Sequence, residues 1–213
     1  MLHSAGMMVK VKICGITNVG DALMAVAAGA DALGFNFYRP SPRYVEPNRA
    51  LSMRMALPPF VATVGVFVDA SVPKVREIMA QSGLDYAQLH GHETPAKVSR
   101  LSDLRVIKAI RVREEHDLVN LEKYRADAFL LDAFVPGEPG GTGVTFDWEL
   151  ARRASSRAKI VLAGGLTPEN VTEAVEDVRP YAVDVASGVE EEPGKKSREL
   201  VNLFVRLAKG VEL

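Results

Sequence analysis

One cysteine, Cys14, among 213 residues cannot close an intramolecular disulfide, so nothing in the chain points to an oxidising compartment. Histidine is scarce as well: the four residues His3, His90, His92 and His116 show no ligand spacing, and no metal is expected. An excess of one charge sign is also missing. With 26 basic and 27 acidic side chains spread along the chain, the net charge is −1, which argues against nucleic acid or an anionic membrane as the main partner. No apolar run approaches the ~20 residues of a membrane helix, and Met1 to Met8 lack the basic-then-apolar order of a signal peptide. The expected location is the cytoplasm and the expected partner a small-molecule substrate. A monomer and a homodimer are both compatible with the chain.

What is present describes a globular protein with a full core: 47% hydrophobic and 25% charged residues. Val9, Val11 and Ile13 alternate with Lys10, Lys12 and Cys14, the period-two pattern of a strand. Gly15 ends it, and Thr17 or Asn18 offers an N-cap to an Ala-rich helix that Gly29 stops. The same order then recurs. Strands are expected at 31–37, 60–68, 86–89, 105–110, 128–131, 159–163 and 181–185. Helices are expected at 47–55, 72–82, 94–101, 114–124, from about Phe146, from Thr167, and at 196–208. The run Pro136-Gly-Glu-Pro-Gly-Gly-Thr-Gly143 reads as a long loop. Eight βα units without a linker require a parallel sheet with right-handed crossovers, and eight strands close into a barrel. The fold class expected is a single α/β domain, a (β/α)8 TIM barrel over residues 9–210, with residues 1–8 an extension outside it.

The carboxyl ends of those strands collect the chemistry. They carry Cys14, the loop of Arg39 and Arg43, Asp69, Gln88 and His90, Asp132, Gly164-Gly165, and Asp184 with Ser187-Gly188. The amino-terminal ends offer nothing comparable, and barrel active sites lie on the carboxyl face. Gly164, Gly165, Ser187 and Gly188 follow strands seven and eight, the habitual phosphate loops of barrels. Glycine there admits positive φ and a close approach of backbone N–H groups to an anion. Asp184 lies inside an apolar strand, where a sugar hydroxyl or an interior cation would satisfy it. Strand alternation points Lys12 inward beneath Cys14, and closure makes strands one and eight neighbours, so a Lys12–Asp184 contact is expected.

The motifs Lys12-Ile-Cys-Gly-Ile-Thr-Asn18, Gly34-Phe-Asn-Phe-Tyr38 with Ser41-Pro-Arg-Tyr44, Val64-Gly-Val-Phe-Val68 and Gln88-Leu-His-Gly91 resemble the phosphoribosylanthranilate isomerases of tryptophan biosynthesis. So do Leu131-Asp132, Gly140-Gly-Thr-Gly143 with Phe146-Asp-Trp148, Ala163-Gly-Gly-Leu166 with Pro168-Glu-Asn170, Val183-Asp-Val185, Ser187-Gly-Val-Glu190 and Pro193-Gly-Lys-Lys196. The match runs in order from about Val9 to Gly210. The resemblance implies a barrel that isomerises N-(5-phosphoribosyl)anthranilate to its ribulose form by an Amadori rearrangement, without a cofactor.

It also implies Asp132 as general acid and Cys14 as general base. Burial at the end of an apolar strand would let Asp132 start protonated, whereas Cys14 must be a thiolate to act, which needs nearby donors or positive charge. Arg43 has the planar fork to pair the anthranilate carboxylate. Arg39 has the same reach, and the sequence leaves the choice open. Gln88 and His90 fit either as substrate-binding residues or as hydrogen-bonded core. The competing readings are another phosphosugar isomerase or synthase barrel, which would carry a carboxylate or lysine chemistry where this chain has Cys14, and a phosphate-binding barrel acting as a non-catalytic module.

Overall fold

Val9, Val11 and Ile13 are wholly buried on one side of strand β1 (Lys10–Cys14), while Lys12 and Cys14 point to the other. In a sheet with one wet face the polar half would meet solvent. Here it turns toward the inside of a closed barrel. In the computed structural model, described over residues 8–112, 114–119, 121–132 and 148–211, eight parallel strands pair in chain order and β8 returns to β1. The others are β2 (Ala32–Asn36), β3 (Ala62–Phe67), β4 (Tyr86–Leu89), β5 (Arg105–Arg111), β6 (Ala128–Asp132), β7 (Ile160–Ala163) and β8 (Ala182–Val185). The expected 136–143 loop, the helix start near Phe146 and residues 1–7 lie outside the described residues.

Helices α1 (Val19–Ala27), α2 (Pro47–Met55), α3 (Val72–Ser82), α4 (Pro95–Ser99), α5 (Trp148–Ser155), α6 (Val171–Val178) and α7 (Arg198–Lys209) cover the barrel. Their starts follow the capping signals. Asn18 Oδ1 accepts the Asp21 amide at 2.8 Å, and Ser71, Thr94 and Ser197 cap α3, α4 and α7 in the same way. Two hydrophobic layers result. Val64, Ile107, Leu130 and Val161 fill the barrel interior, and the outward strand faces pack with the helices in a larger cluster.

Three expectations change. The segment 114–124 is not an α-helix but two 3₁₀ turns, Glu115–Leu118 and Leu121–Lys123. Its apolar residues Leu118, Leu121 and Tyr124 are spaced by three, which aligns them on one edge of a 3₁₀ turn but spreads them round an α-helix. Phe60 is outside β3; it stands fully exposed at φ 71°, beside a second cavity of about 310 Å³ at the amino-terminal end of the barrel. Finally, Lys196 belongs not to α7 but to β10 (Lys195–Lys196), which pairs antiparallel with β9 (Glu190–Glu192). Lys196 is buried there because it has an anion to meet, as the site makes clear.

Candidate active site

A cavity of about 280 Å³ opens at the carboxyl end of the barrel. Alternation along β1 brings Cys14 to it, and the last residue of β6 brings Asp132, three strands away round the barrel. Arg43, His90, Gly165 and Ser187 line it as well. The residues expected at this edge from the sequence therefore meet in one place, with few exceptions.

Arg39 is one. It lies on the surface 3.5 Å from Glu46, both side chains mostly exposed, while Arg43 turns into the cavity. Asp69 is another: it has a left-handed backbone, and its carboxylate accepts the His92 amide at 2.7 Å outside the cavity. His92 and His116 are exposed, as surface histidines should be.

Gln88 and His90 serve Asp132. Both point inward, two residues apart on β4 and its loop, so a hydrogen bond between them is geometrically natural. Gln88 Nε2 lies 2.9 Å from His90 Nδ1, and His90 Nε2 lies 3.0 Å from Asp132 Oδ2. An amide nitrogen can only donate, so Nδ1 accepts and the neutral ring carries its proton on Nε2, toward Asp132. Asp132 is thus only partly buried, its side chain 24% exposed, and held by a histidine rather than enclosed in a dry pocket as the sequence suggested. Gln88 Oε1 is buried without a partner among the described residues, an arrangement that ordinarily costs ~1–3 kcal/mol.

The His90 loop is fastened from behind. Lys108, facing the helix layer, donates to Gly91 O at 2.8 Å, Leu89 O at 3.1 Å and Glu93 Oε2 at 2.7 Å. Glu93 Oε1 in turn accepts the Asp69 amide at 2.9 Å. Both charges are buried, so neither can leave the other without stranding it.

On the opposite wall the sequence reading missed a cluster. Glu190 accepts from Arg43 Nε at 2.9 Å and also from its Nη2, and from Lys196 Nζ at 2.8 Å. Burial pushes the Glu190 carboxyl up, but the two cations outweigh it and the net direction is down. Burial lowers Lys196, only partly offset by Glu190. The signal was present in the hairpin motif Pro193-Gly-Lys-Lys196, yet Glu190-Glu-Glu reads locally as a solvated acidic run.

Lys12 meets Asp184 as strand alternation required, Nζ to Oδ1 at 2.8 Å, with both side chains buried. Burial pushes the Cys14 thiol up; Lys12 and Lys196 pull it down, Asp184 opposes them, and the net direction is up. Of the expected phosphate residues, Gly164 and Gly165 have positive φ (84° and 69°) and line the cavity with Ser187. Gly188 differs from expectation, since its φ is not positive and it does not line the cavity. A Cβ there would come within 2.1 Å of the Leu166 carbonyl oxygen. Its missing side chain lets the loops after β7 and β8 pack on each other.

Among known proteins, a family model described as N-(5'phosphoribosyl)anthranilate (PRA) isomerase matches residues 11–207. An N-(5'-phosphoribosyl)anthranilate isomerase of Geobacter sp. strain M21 is 55% identical over 95% of this chain and 98% of its own. The crystal structure of phosphoribosyl anthranilate isomerase from Thermotoga maritima superposes with a TM-score of 0.90 at 47% identity, covering 96% of this chain and all of that one. A second structure of such an isomerase, in complex with reduced 1-(o-carboxyphenylamino)-1-deoxyribulose 5-phosphate, gives 0.86 at 44% identity, over 96% of this chain and 100% of that one.

Proposed function

The chain belongs to the N-(5′-phosphoribosyl)anthranilate isomerase family, and on that premise we propose how its own side chains divide the reaction. The enzyme is an isomerase of tryptophan biosynthesis that converts N-(5′-phosphoribosyl)anthranilate into 1-(2-carboxyphenylamino)-1-deoxyribulose 5-phosphate. First the ring oxygen of the aminofuranose takes a proton while the nitrogen lone pair expels it from C1, leaving a protonated imine. A base then removes the C2 proton, the C–H electrons form the enolamine, and the imine π electrons return to nitrogen. Proton gain at C1 and loss from O2 give the ketone. Only protons move, so no cofactor enters the scheme.

Asp132 is the acid. His90 occupies its Oδ2, so the transferable proton is assigned to Oδ1, with Gln88 fixing the ring that fixes the carboxylate. Cys14, on the other side of the cavity, is the base. Arg43 receives the anthranilate carboxylate with the donors that Glu190 leaves, chiefly Nη1. Asp184, with Oδ1 bound to Lys12, offers Oδ2 to a sugar hydroxyl. Amides of Gly164, Gly165 and Ser187 receive the phosphate, with Gly188 as the spacer that sets their loop. No helix among the described residues is long and apolar enough to cross a membrane, and a biosynthetic enzyme of this kind fits the cytoplasm.

The single observation that carries this reading is that Cys14 and Asp132 share one cavity whose rim holds Arg43 on one side and the paired glycine loops on another. The test is loss of anthranilate-type fluorescence as phosphoribosylanthranilate, generated in situ, is consumed by the purified protein. Consumption at catalytic protein concentration is expected. None would leave a phosphate-binding barrel without turnover.

A further inference from the structure

Lys12 has a second neighbour besides Asp184. It precedes Cys14 by two residues on the inward face of β1, and only 4% of its side chain is exposed. Across from both lies Gly34, paired with Cys14 in the β1–β2 register. A Cβ on Gly34 would sit 2.7 Å from Cys14 Sγ and 3.1 Å from Lys12 Nζ. The sulfur and the ammonium therefore converge on the one spot that a glycine leaves open. They lie within roughly 6 Å of each other, the range in which an opposite charge favours ionisation by about 1–3 pH units.

The other charged groups around the sulfur are already engaged. From β8, Asp184 faces it but is bound to Lys12. From β10, Lys196 is bound to Glu190, and from the loop after β2, Arg43 is bound to the same carboxylate. From β6 and the β4 loop, Asp132 and His90 share the cavity but are bound to each other. Glu190 neutralises one of the two outer cations and Asp184 pairs Lys12, so proximity decides. The lysine two residues before Cys14 on the same strand converges with the sulfur at the Gly34 position, and its pull on the thiol exceeds that of Lys196.

We propose that Lys12 is the positioning residue that sets the charge of Cys14, its ammonium anchored by Asp184 and directed at the sulfur so that the thiolate forms where the C2 proton is to be taken. This rests on the reading of Cys14 as base. In support, burial lowers Lys12 but Asp184 and Cys14 outweigh it, and the net direction is up, so the ammonium keeps its charge through the neutral range. Burial pushes the Cys14 thiol up and the net direction is up, and Lys12 opposes that push more than any other group does. Gly34 has a role in the same device, because any side chain there would part the two.

Cys14 is the only cysteine, so the pH dependence of its alkylation by iodoacetamide reports this thiol alone. Three variants separate the contributions: Lys12→Met, Asp184→Asn, and the double variant, which removes both buried charges and leaves neither stranded. Lys12→Met should move the alkylation midpoint up by one unit or more from wild type, and the double variant should lie as far above Asp184→Asn. Asp184→Asn should move it down, since a negative neighbour is lost while the ammonium stays. A purely structural role would not give shifts of opposite sign. The kcat of the double variant should fall at least tenfold below that of Asp184→Asn at pH 7 and recover as the pH rises toward the new midpoint. A midpoint in the folded double variant no higher than in Asp184→Asn would overturn the proposal, even with Cys14 still the base. Full activity of Cys14→Ser would instead overturn the reading on which it rests.

Discussion

Replacing Glu190 by Ala removes the one anion shared by Arg43 and Lys196. The side chains of Glu190 and Lys196 are 4% and 0% exposed, so Lys196 would be left as an uncompensated buried cation. Removing one partner of such a pair costs about 3–5 kcal/mol. Arg43, 21% exposed, can relax toward water, and Lys196 retains the Ala186 carbonyl at 3.0 Å, so the lower end, about 3 kcal/mol, is expected. For a domain of this size that lowers Tm by roughly 6–12 °C. The loss has a pH signature. Because the folded Glu190 carboxyl lies below its unfolded value, its stabilisation is complete above about pH 4.3 and disappears as the pH falls through the folded value. The Tm gap between wild type and variant should be open at pH 5 and close as the pH falls further. Calorimetry across pH 3–8 reads the gap, and steady-state kinetics should show KM raised about tenfold or more with kcat changed far less, as Arg43 loses its brace. A variant melting within a degree of wild type at pH 7, or a gap that persists in acid, would refute the argument.

Other consequences follow from close contacts. Gly188→Ala drives a Cβ into the Leu166 carbonyl; KM should rise at least tenfold and inhibition by inorganic phosphate should weaken in parallel, both readable from initial rates. Gly34→Ala, with its Cβ 2.7 Å from Cys14 Sγ, should lower kcat on the order of 10²-fold with substrate-analogue binding retained. Lys108→Met strands Glu93, 0% exposed, and should cost about 3–5 kcal/mol in denaturant unfolding.

How much of this was legible in the chain depended on the range of the interaction. The eight strands were, because their patterns are local and each ends at a turn residue. The Lys12–Asp184 pair was legible although its partners are 172 residues apart, since alternation fixes which side chains point inward and closure fixes which strands touch. The Glu190 cluster was not. Its residues come from a loop and a hairpin 147 positions apart, and no periodicity connects them. The Gln88–His90 bond was readable from two inward residues on one strand, but its target, Asp132, was not. The 3₁₀ turns at 115–118 and 121–123 were missed because the acidic start that suits a helix dipole does not distinguish a 3₁₀ turn from an α-helix.

The central claim is that Cys14 and Asp132 divide proton removal and ring opening between them. Cys14→Ser offers a hydroxyl that stays un-ionised near neutrality, and Asp132→Asn keeps the shape while removing the proton. The deciding measurement is kcat of each variant beside its affinity for a non-reactive product analogue. The account predicts kcat lowered on the order of 10²-fold or more in both, with analogue affinity within a few-fold of wild type. Near wild-type kcat in either variant, or an analogue affinity that collapses as far as kcat does, would contradict it.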